Sequence, residues 1–284
     1  MSASSRLKIA LFANPESGSG EAREVARLLR ARGADVVELS LDGPPEAVDQ
    51  DVDRVAVAGG DGSVASVAVR AGAAGLPLAV IPVGTANDFA RALELPLQVE
   101  PACALALEGQ LTRALDLGWM DERPFVNAAS VGLSPVAAQR AQGLKRVLGP
   151  VAYAVGALRA AASAKPVQCR ILGDGKLVHA GPAWQATVAC TGAFGAGAEV
   201  DADPRDGALD VVVIEAGSRW RLVQRASGLR AGTVESQTGV RNARAREVEV
   251  QAEGGSGFNV DGELVDTVRA RFRVSPHAFG VVVG

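Results

Sequence analysis

Three short apolar runs near the start of the chain each end in a glycine-bearing turn, and no other feature constrains the fold as much. Residues 7–13 lead into Asn14-Pro15-Glu16-Ser17-Gly18, residues 54–58 into Gly59-Gly60-Asp61-Gly62-Ser63, and residues 78–81 into Pro82-Val83-Gly84-Thr85-Ala86-Asn87-Asp88-Phe89. Between and after them lie stretches of helical periodicity: residues 22–32, with Val25, Leu28 and Leu29 on one side and Gly33 as the stop, then residues 63–71 and 87–93. Residues 36–39 add a further short strand. Such β-α-β alternation predicts a mostly parallel, Rossmann-like sheet with helices on both faces, in which ligands bind beyond the carboxyl ends of the strands. All three glycine turns fall at those ends. A strand, a glycine loop and a helix start together offer backbone N–H groups and a helix dipole to phosphate oxygens. Glycine suits such a loop because a Cβ would hold the backbone away from a phosphate, and because the turn can require positive φ. The three turns therefore form a candidate nucleotide-phosphate cradle.

A chain of 284 residues that is 48% hydrophobic can fill two cores. Its net charge of −3 supplies no general basic field, so nucleic acid is not an expected partner. Cys103, Cys169 and Cys190 are far apart and lack metal-ligand spacing; they read as buried thiols in a reducing cytoplasm. No apolar run of about 20 residues is present, so no spanning helix is expected, and the first residues lack the apolar core of a signal peptide. The lysines, Lys8, Lys145, Lys165 and Lys176, all lie outside the glycine turns, which excludes a Walker A loop.

After Asp116-Leu117-Gly118 the texture changes. Residues 125–129, 167–172, 183–190, 209–214, 248–252, 258–260 and 269–274 read as strands, and Leu172-Gly173-Asp174-Gly175-Lys176 is a strong hairpin signal. Two helical patterns, residues 150–162 and 219–231, interrupt them. Many short strands with regular turns predict an antiparallel sandwich or barrel. The domains expected are residues 1–118 and 119–284, with the last strand returning toward the first domain and a cleft between the two.

The segments NPESGSG, GGDGS, PVGTANDFAR, DLG at 116–118, DPRDGALDV at 203–211 and VDGE at 260–263 occur in one order along nearly the whole chain. In them the chain resembles the diacylglycerol kinase catalytic-domain family, lipid kinases that include bacterial diacylglycerol kinases and sphingosine kinases. A lone GGDG would be weak evidence, but GGDGS followed by GTANDFAR is specific. The resemblance implies a nucleotide-binding α/β domain, then a mainly antiparallel β-sandwich domain for the lipid, with the active site in the cleft. It implies transfer of the ATP γ-phosphoryl group to a lipid hydroxyl, with ATP and Mg²⁺ as cofactors. ATP would be held by Asn14, Ser17, Gly18, Gly59, Gly60, Asp61, Gly62, Ser63, Gly84, Thr85, Asn87 and Arg91. Asp61, Asp88 and Asp116 would surround the catalytic magnesium, and Asp203 and Asp206 would hold a structural one. Asp261 would be the general base, acting with Asp61, and Glu263 would orient the base or pair with an arginine. The chain departs from the family where a lysine often follows the first SG: Ser19 and Gly20 stand there, leaving Arg91, then Arg23, as the cation for the phosphates. The implied partners are a lipid substrate and a transient membrane-surface contact, with room for a homodimer. The expected location is the cytoplasm, peripheral at the inner membrane surface.

Plainer readings stand beside these. Asp88 can serve only as a helix cap, Asp116 only as a strand-end turn residue, and Asp261-Gly262 is by itself a hairpin signal. His179 and His277 read as structural and distant from the motifs, and residues 151–162 as a core helix whose Leu158 is a candidate lipid contact. Two other functions are to be weighed: a soluble-substrate kinase of the NAD kinase or phosphofructokinase type, against which the GTANDFA segment speaks, and a non-catalytic nucleotide or lipid sensor, which has no use for the carboxylates at 61, 88 and 261.

Overall fold

The computed structural model describes residues 6–13, 20–41, 48, 51–133, 165–194, 198–200, 202–218, 239–255 and 257–284. The chain divides into two compact units, residues 1–117 with 275–284, and residues 118–274. The expected helices at 150–162 and 219–231 lie outside the described residues.

The first unit contains β1 (Lys8–Ala13), α1 (Glu21–Ala31), β2 (Asp35–Ser40), β3 (Arg54–Gly59), α2 (Asp61–Ala74), β4 (Leu78–Pro82), α3 (Asp88–Ala92) and α4 (Val99–Glu108). These four strands are parallel, in the order β4-β3-β1-β2, and the end of the chain adds to β4 through the parallel pair Val281 and Leu78. Ile9, Leu11, Ala56, Ala58, Ala79 and Ile81 form one core with Val25, Ala26 and Leu29 of α1 and Ala102, Cys103 and Ala106 of α4. Alternation turns Ala10, Phe12, Val55, Val57 and Val80 to the opposite face, where α2 packs on β3 and β4 and its Arg70 lies 5.3 Å from the centre of the Phe12 ring. Helices thus cover both faces, as a buried parallel sheet requires. Buried Arg54 opens β3 and donates to the carbonyls of Ala106 and Gly109 at the end of α4, where the helix dipole favours a cation.

The second unit holds the end of β5 (Leu111–Met120), then β6 (Arg123–Phe125), β7 (Ala128–Gly132), β8 (Val167–Gly173), β9 (Lys176–Ala189), the short pair β10 (Ala193–Phe194) and β11 (Ala198–Glu199), β12 (Leu209–Glu215), β13 (Val240–Ala245), β14 (Glu247–Glu253), β15 (Phe258–Val260), β16 (Glu263–Val265) and the first part of β17 (Arg269–Val283). The order is β16-β15-β7-β9-β8-β14-β17, with β12 and β13 joined at β9, and each of these pairs is antiparallel. β9 pairs with β8 through its first half and with β7 and β12 through its second; Gly181, between the halves, has φ 137°. The sheet folds over so that Phe272 of β17 meets Phe258 of β15 at 5.8 Å and Phe125 at 6.2 Å between ring centres. One continuous apolar core lines its inside.

Asp174 (φ 47°) and Gly175 (φ 74°) form the expected two-residue turn between β8 and β9, and Asp261 (φ 46°) and Gly262 (φ 92°) form another between β15 and β16. Positive φ at both central positions matches the right-handed twist of the flanking strands, which is why Asp-Gly is favoured there. Several elements differ from expectation: β13 was not expected, and the strand expected at 125–129 is divided into β6 and β7. α4 and β5 were not foreseen, and the strand expected at 269–274 runs on to Val283 through Pro276 and His277, the latter at φ 49°.

Candidate active site

Two of the three glycine turns are in backbone contact. β3 ends at Gly59 beside Pro82 of β4, and a Cβ on Gly84 would lie 2.6 Å from Gly60 Cα, a distance no ordinary contact allows. A Cβ on Gly59 would lie 2.5 Å from Cβ of Ser63. Close approach, rather than positive φ, is what calls for glycine at positions 59 and 84, while Gly60 between them is extended, with φ −93°. The third turn, with Asn14, Ser17 and Gly18, lies outside the described residues.

Side chains complete the apposition. Asp61, the first residue of α2, is buried, and its carboxylate accepts the N–H groups of Asp88 (3.2 Å) and Phe89 (2.9 Å) at the start of α3. Asp61 therefore caps a helix other than its own, a task the plain reading gave to Asp88. Asn87, at φ 51°, accepts the N–H of Gly84 (3.0 Å) and donates to its carbonyl (2.9 Å), locking the 84–87 loop on itself. The Arg91 guanidinium braces the same loop by donating to the Ala86 carbonyl at 3.1 Å, while Thr85 stays exposed. Gly62 and Ser63 fall in the first turn of α2, at the C-terminal end of β3.

Asp116 lies within β5 rather than at a strand end, its side chain fully buried, and its Oδ1 accepts the backbone N–H of His277 at 2.8 Å. His277 is thus not distant from the motifs; its exposed imidazole Nδ1 lies 3.5 Å from the same oxygen. The interruption Ser275-Pro276-His277 in an otherwise regular strand pattern is the signal that could have pointed to it. Among the described residues, no three carboxylate, thiol or imidazole groups cluster in a way that could hold a metal ion.

In the second unit, Asp261 sits in its hairpin turn with both carboxylate oxygens engaged. Oδ2 accepts the N–H of Val126 at 2.7 Å, and Oδ1 those of Asn127 (3.0 Å) and Ala128 (3.1 Å). Its own N–H donates to the Ala128 carbonyl at 3.1 Å. Glu263 forms an ion pair with Arg123 at 2.5 Å, both side chains about half exposed. Asp203 pairs with Arg205 at 2.8 Å, and the hydrogen bond from that guanidinium holds its carboxyl below the usual range. Asp206 and Asp210 both pair with Arg244. The carboxylates expected to hold a structural magnesium are thus already neutralised by guanidinium groups, a poor fit for a divalent ion.

A parallel α/β unit carrying apposed glycine turns, followed by an antiparallel β unit, defines a two-unit architecture shared with solved phosphotransferases. The crystal structure of a diacylglycerol kinase from Bacillus anthracis superposes with a TM-score of 0.76 over 99% of each chain, at 20% identity. Residues 8–120 match the diacylglycerol kinase catalytic domain, and residues 127–283 match the YegS C-terminal NAD kinase beta sandwich-like domain. The chain is 34% identical over 246 residues to the "Probable lipid kinase YegS-like" protein of Pseudomonas aeruginosa, covering 78% of this chain and 74% of that one. It is 28% identical over 295 residues to the diacylglycerol kinase of Mycobacterium tuberculosis, covering 97% and 94%. The chain belongs to the diacylglycerol kinase family of lipid kinases. It is a kinase acting on a lipid alcohol, and its family implies ATP as the phosphate donor.

Proposed function

We propose that this chain is an ATP-dependent kinase that transfers the γ-phosphoryl group to a hydroxyl of a diacylglycerol-like lipid. The observation that carries this reading is the backbone contact of Gly60 with Gly84, tied by Asp61 to the start of α3. Such a surface can approach phosphates without side chains intervening. Phosphoryl transfer asks the protein for alignment, charge neutralisation and proton removal, with little covalent work.

Asp61 and Asp88, adjacent at the two turns, are the residues that would hold a magnesium ion. A magnesium borne on the nucleotide needs only one or two carboxylates, which suits this donor set. When bound it neutralises phosphate charge. Arg91, already fixed against the turn, supplies the cation that the sequence lacks as lysine. Asp261 is the base that receives the acceptor proton, its carboxylate held in place by three backbone N–H groups. Glu263, engaged with Arg123, steadies the hairpin. Among the described residues no helix is long and apolar enough to cross a membrane; in this reading the lipid is met by transient surface contact.

The test is incubation with labelled ATP, Mg²⁺ and detergent mixed micelles of diacylglycerol, monoacylglycerol, phosphatidylglycerol, ceramide or a sphingoid base. Label is expected in the lipid phase with at least one acceptor. No labelled lipid across the set, with ATP bound normally, would overturn the reading.

A further inference from the structure

The second unit's sheet has a face that its apolar core does not use. Ala129 and Val131 of β7, Ala186 and Val188 of β9, Val211 and Val213 of β12, and Phe258 and Val260 of β15 all belong to that core. Alternation sends the residues between them to the other face. There the register aligns Asn259 with Ser130 and Ser130 with Thr187, three uncharged polar side chains abreast on three neighbouring strands. Gln185, one step along β9, donates to Thr187 Oγ1 at 3.0 Å. Ser130, Gln185 and Thr187 are each at most 5% exposed.

Buried polar groups on strands are costly unless they are hydrogen-bonded, and one further observation points to a ligand. Trp184, beside Gln185 and 4% exposed, has its indole Nε1 buried with no hydrogen-bond acceptor among the described residues. Next to the polar row, Ala128, Ala189 and Val212 form a small apolar cluster with Val200. A row of three strands at the usual spacing spans about 10 Å, the scale of a glycerol backbone with its ester groups. Asn259 is two residues from Asp261, and Ala128, whose N–H binds the Asp261 carboxylate, is two residues from Ser130. Beside this face, Asp210 and Arg244 stand opposite each other on β12 and β13 and form an ion pair.

We infer that Asn259, Ser130, Thr187 and Gln185, with the indole N–H of Trp184, read the polar part of the lipid acceptor, and that they select an uncharged acyl-glycerol over anionic or cationic lipids. Hydroxyls, two carboxamides and an N–H suit ester carbonyls and free hydroxyls. A headgroup phosphate would want a cation here, and a sphingoid amine a carboxylate, and the row offers neither. This inference rests on the lipid-kinase reading above.

The test is steady-state kinetics in mixed micelles with diacylglycerol, phosphatidylglycerol and a sphingoid base. Wild type is expected to favour diacylglycerol. Ser130→Ala and Thr187→Val should each raise the KM for diacylglycerol by about 3- to 10-fold, the value of one neutral hydrogen bond, with the KM for ATP unmoved. Thr187→Ser should recover most of what Thr187→Val loses, which a packing role for the methyl group would not produce. If lipid is phosphorylated but these variants change neither the lipid KM nor the order of substrates, or if phosphatidylglycerol or the sphingoid base is favoured, the inference fails while the kinase reading stands. If no lipid is phosphorylated by wild type, the kinase reading itself fails. Ser130→Ala removes a single oxygen, so a result from it does not depend on Thr187→Val folding.

Discussion

The hairpin at Asp174-Gly175 and the hairpin at Asp261-Gly262 are built the same way, yet only one carries an expected catalytic residue. Each has an aspartate in the left-handed region followed by a left-handed glycine. In each, the aspartate N–H donates to a carbonyl of a neighbouring segment, Glu247 or Ala128. In each, the carboxylate accepts backbone N–H groups: Arg246 and Glu247 for Asp174, Val126, Asn127 and Ala128 for Asp261. Asp121 repeats the theme at φ 52°, accepting from Arg271 N–H. An aspartate clamped to backbone is therefore a general device of this unit for pinning turns, and clamping alone says nothing of catalysis. What separates the two hairpins is context. Asp174 uses one oxygen and is exposed, whereas Asp261 uses both, is part-buried, and stands beside the polar face at Asn259, Ser130 and Thr187.

The comparison can be sharpened by substitution. Asp261→Ala leaves three N–H groups without their acceptor and should lower the unfolding free energy by about 2–3 kcal/mol, read from urea denaturation. Asp174→Ala leaves two, nearer solvent, and should cost about 1–2 kcal/mol. A larger loss at Asp174 than at Asp261 would break the ranking. The smallest effect belongs to Glu263→Gln: its ion pair with Arg123 is half exposed and should be worth less than about 1 kcal/mol. A large fall in turnover for that variant, at unchanged stability, would return Glu263 to the chemistry.

The same contrast shows which parts of the molecule the sequence could disclose. The parallel strands and glycine turns were legible because their signals are local: short apolar runs ending in glycine, and helices with a clear stop. Asp-Gly announces a hairpin for the same reason. α4 was not legible because its buried side is made of Ala102, Cys103 and Ala106, small residues that leave little periodic contrast, and because Pro101 reads as a break although the first helical turn tolerates proline. β5 was obscured by Arg113 and Asp116, the latter buried and satisfied by His277 N–H from the far end of the chain. At the site, Asp61 could be picked from its motif, but its hold on the N–H groups of Asp88 and Phe89 depends on two loops meeting in space. The polar face was invisible for a stricter reason: Ser130, Thr187 and Asn259 come from three separate segments, and only the strand register sets them side by side.

The most direct test is the initial rate of labelled phosphoryl transfer from ATP to diacylglycerol, per folded molecule, for wild type, Asp261→Asn and Asp174→Asn measured together. With Asp261 as the base, Asp261→Asn should be slower by a factor of about 10² to 10⁴, with ATP binding little changed, while Asp174→Asn stays close to wild type. Equal rates for the two variants, once corrected for folding, would contradict a catalytic role and leave Asp261 as one more turn clamp.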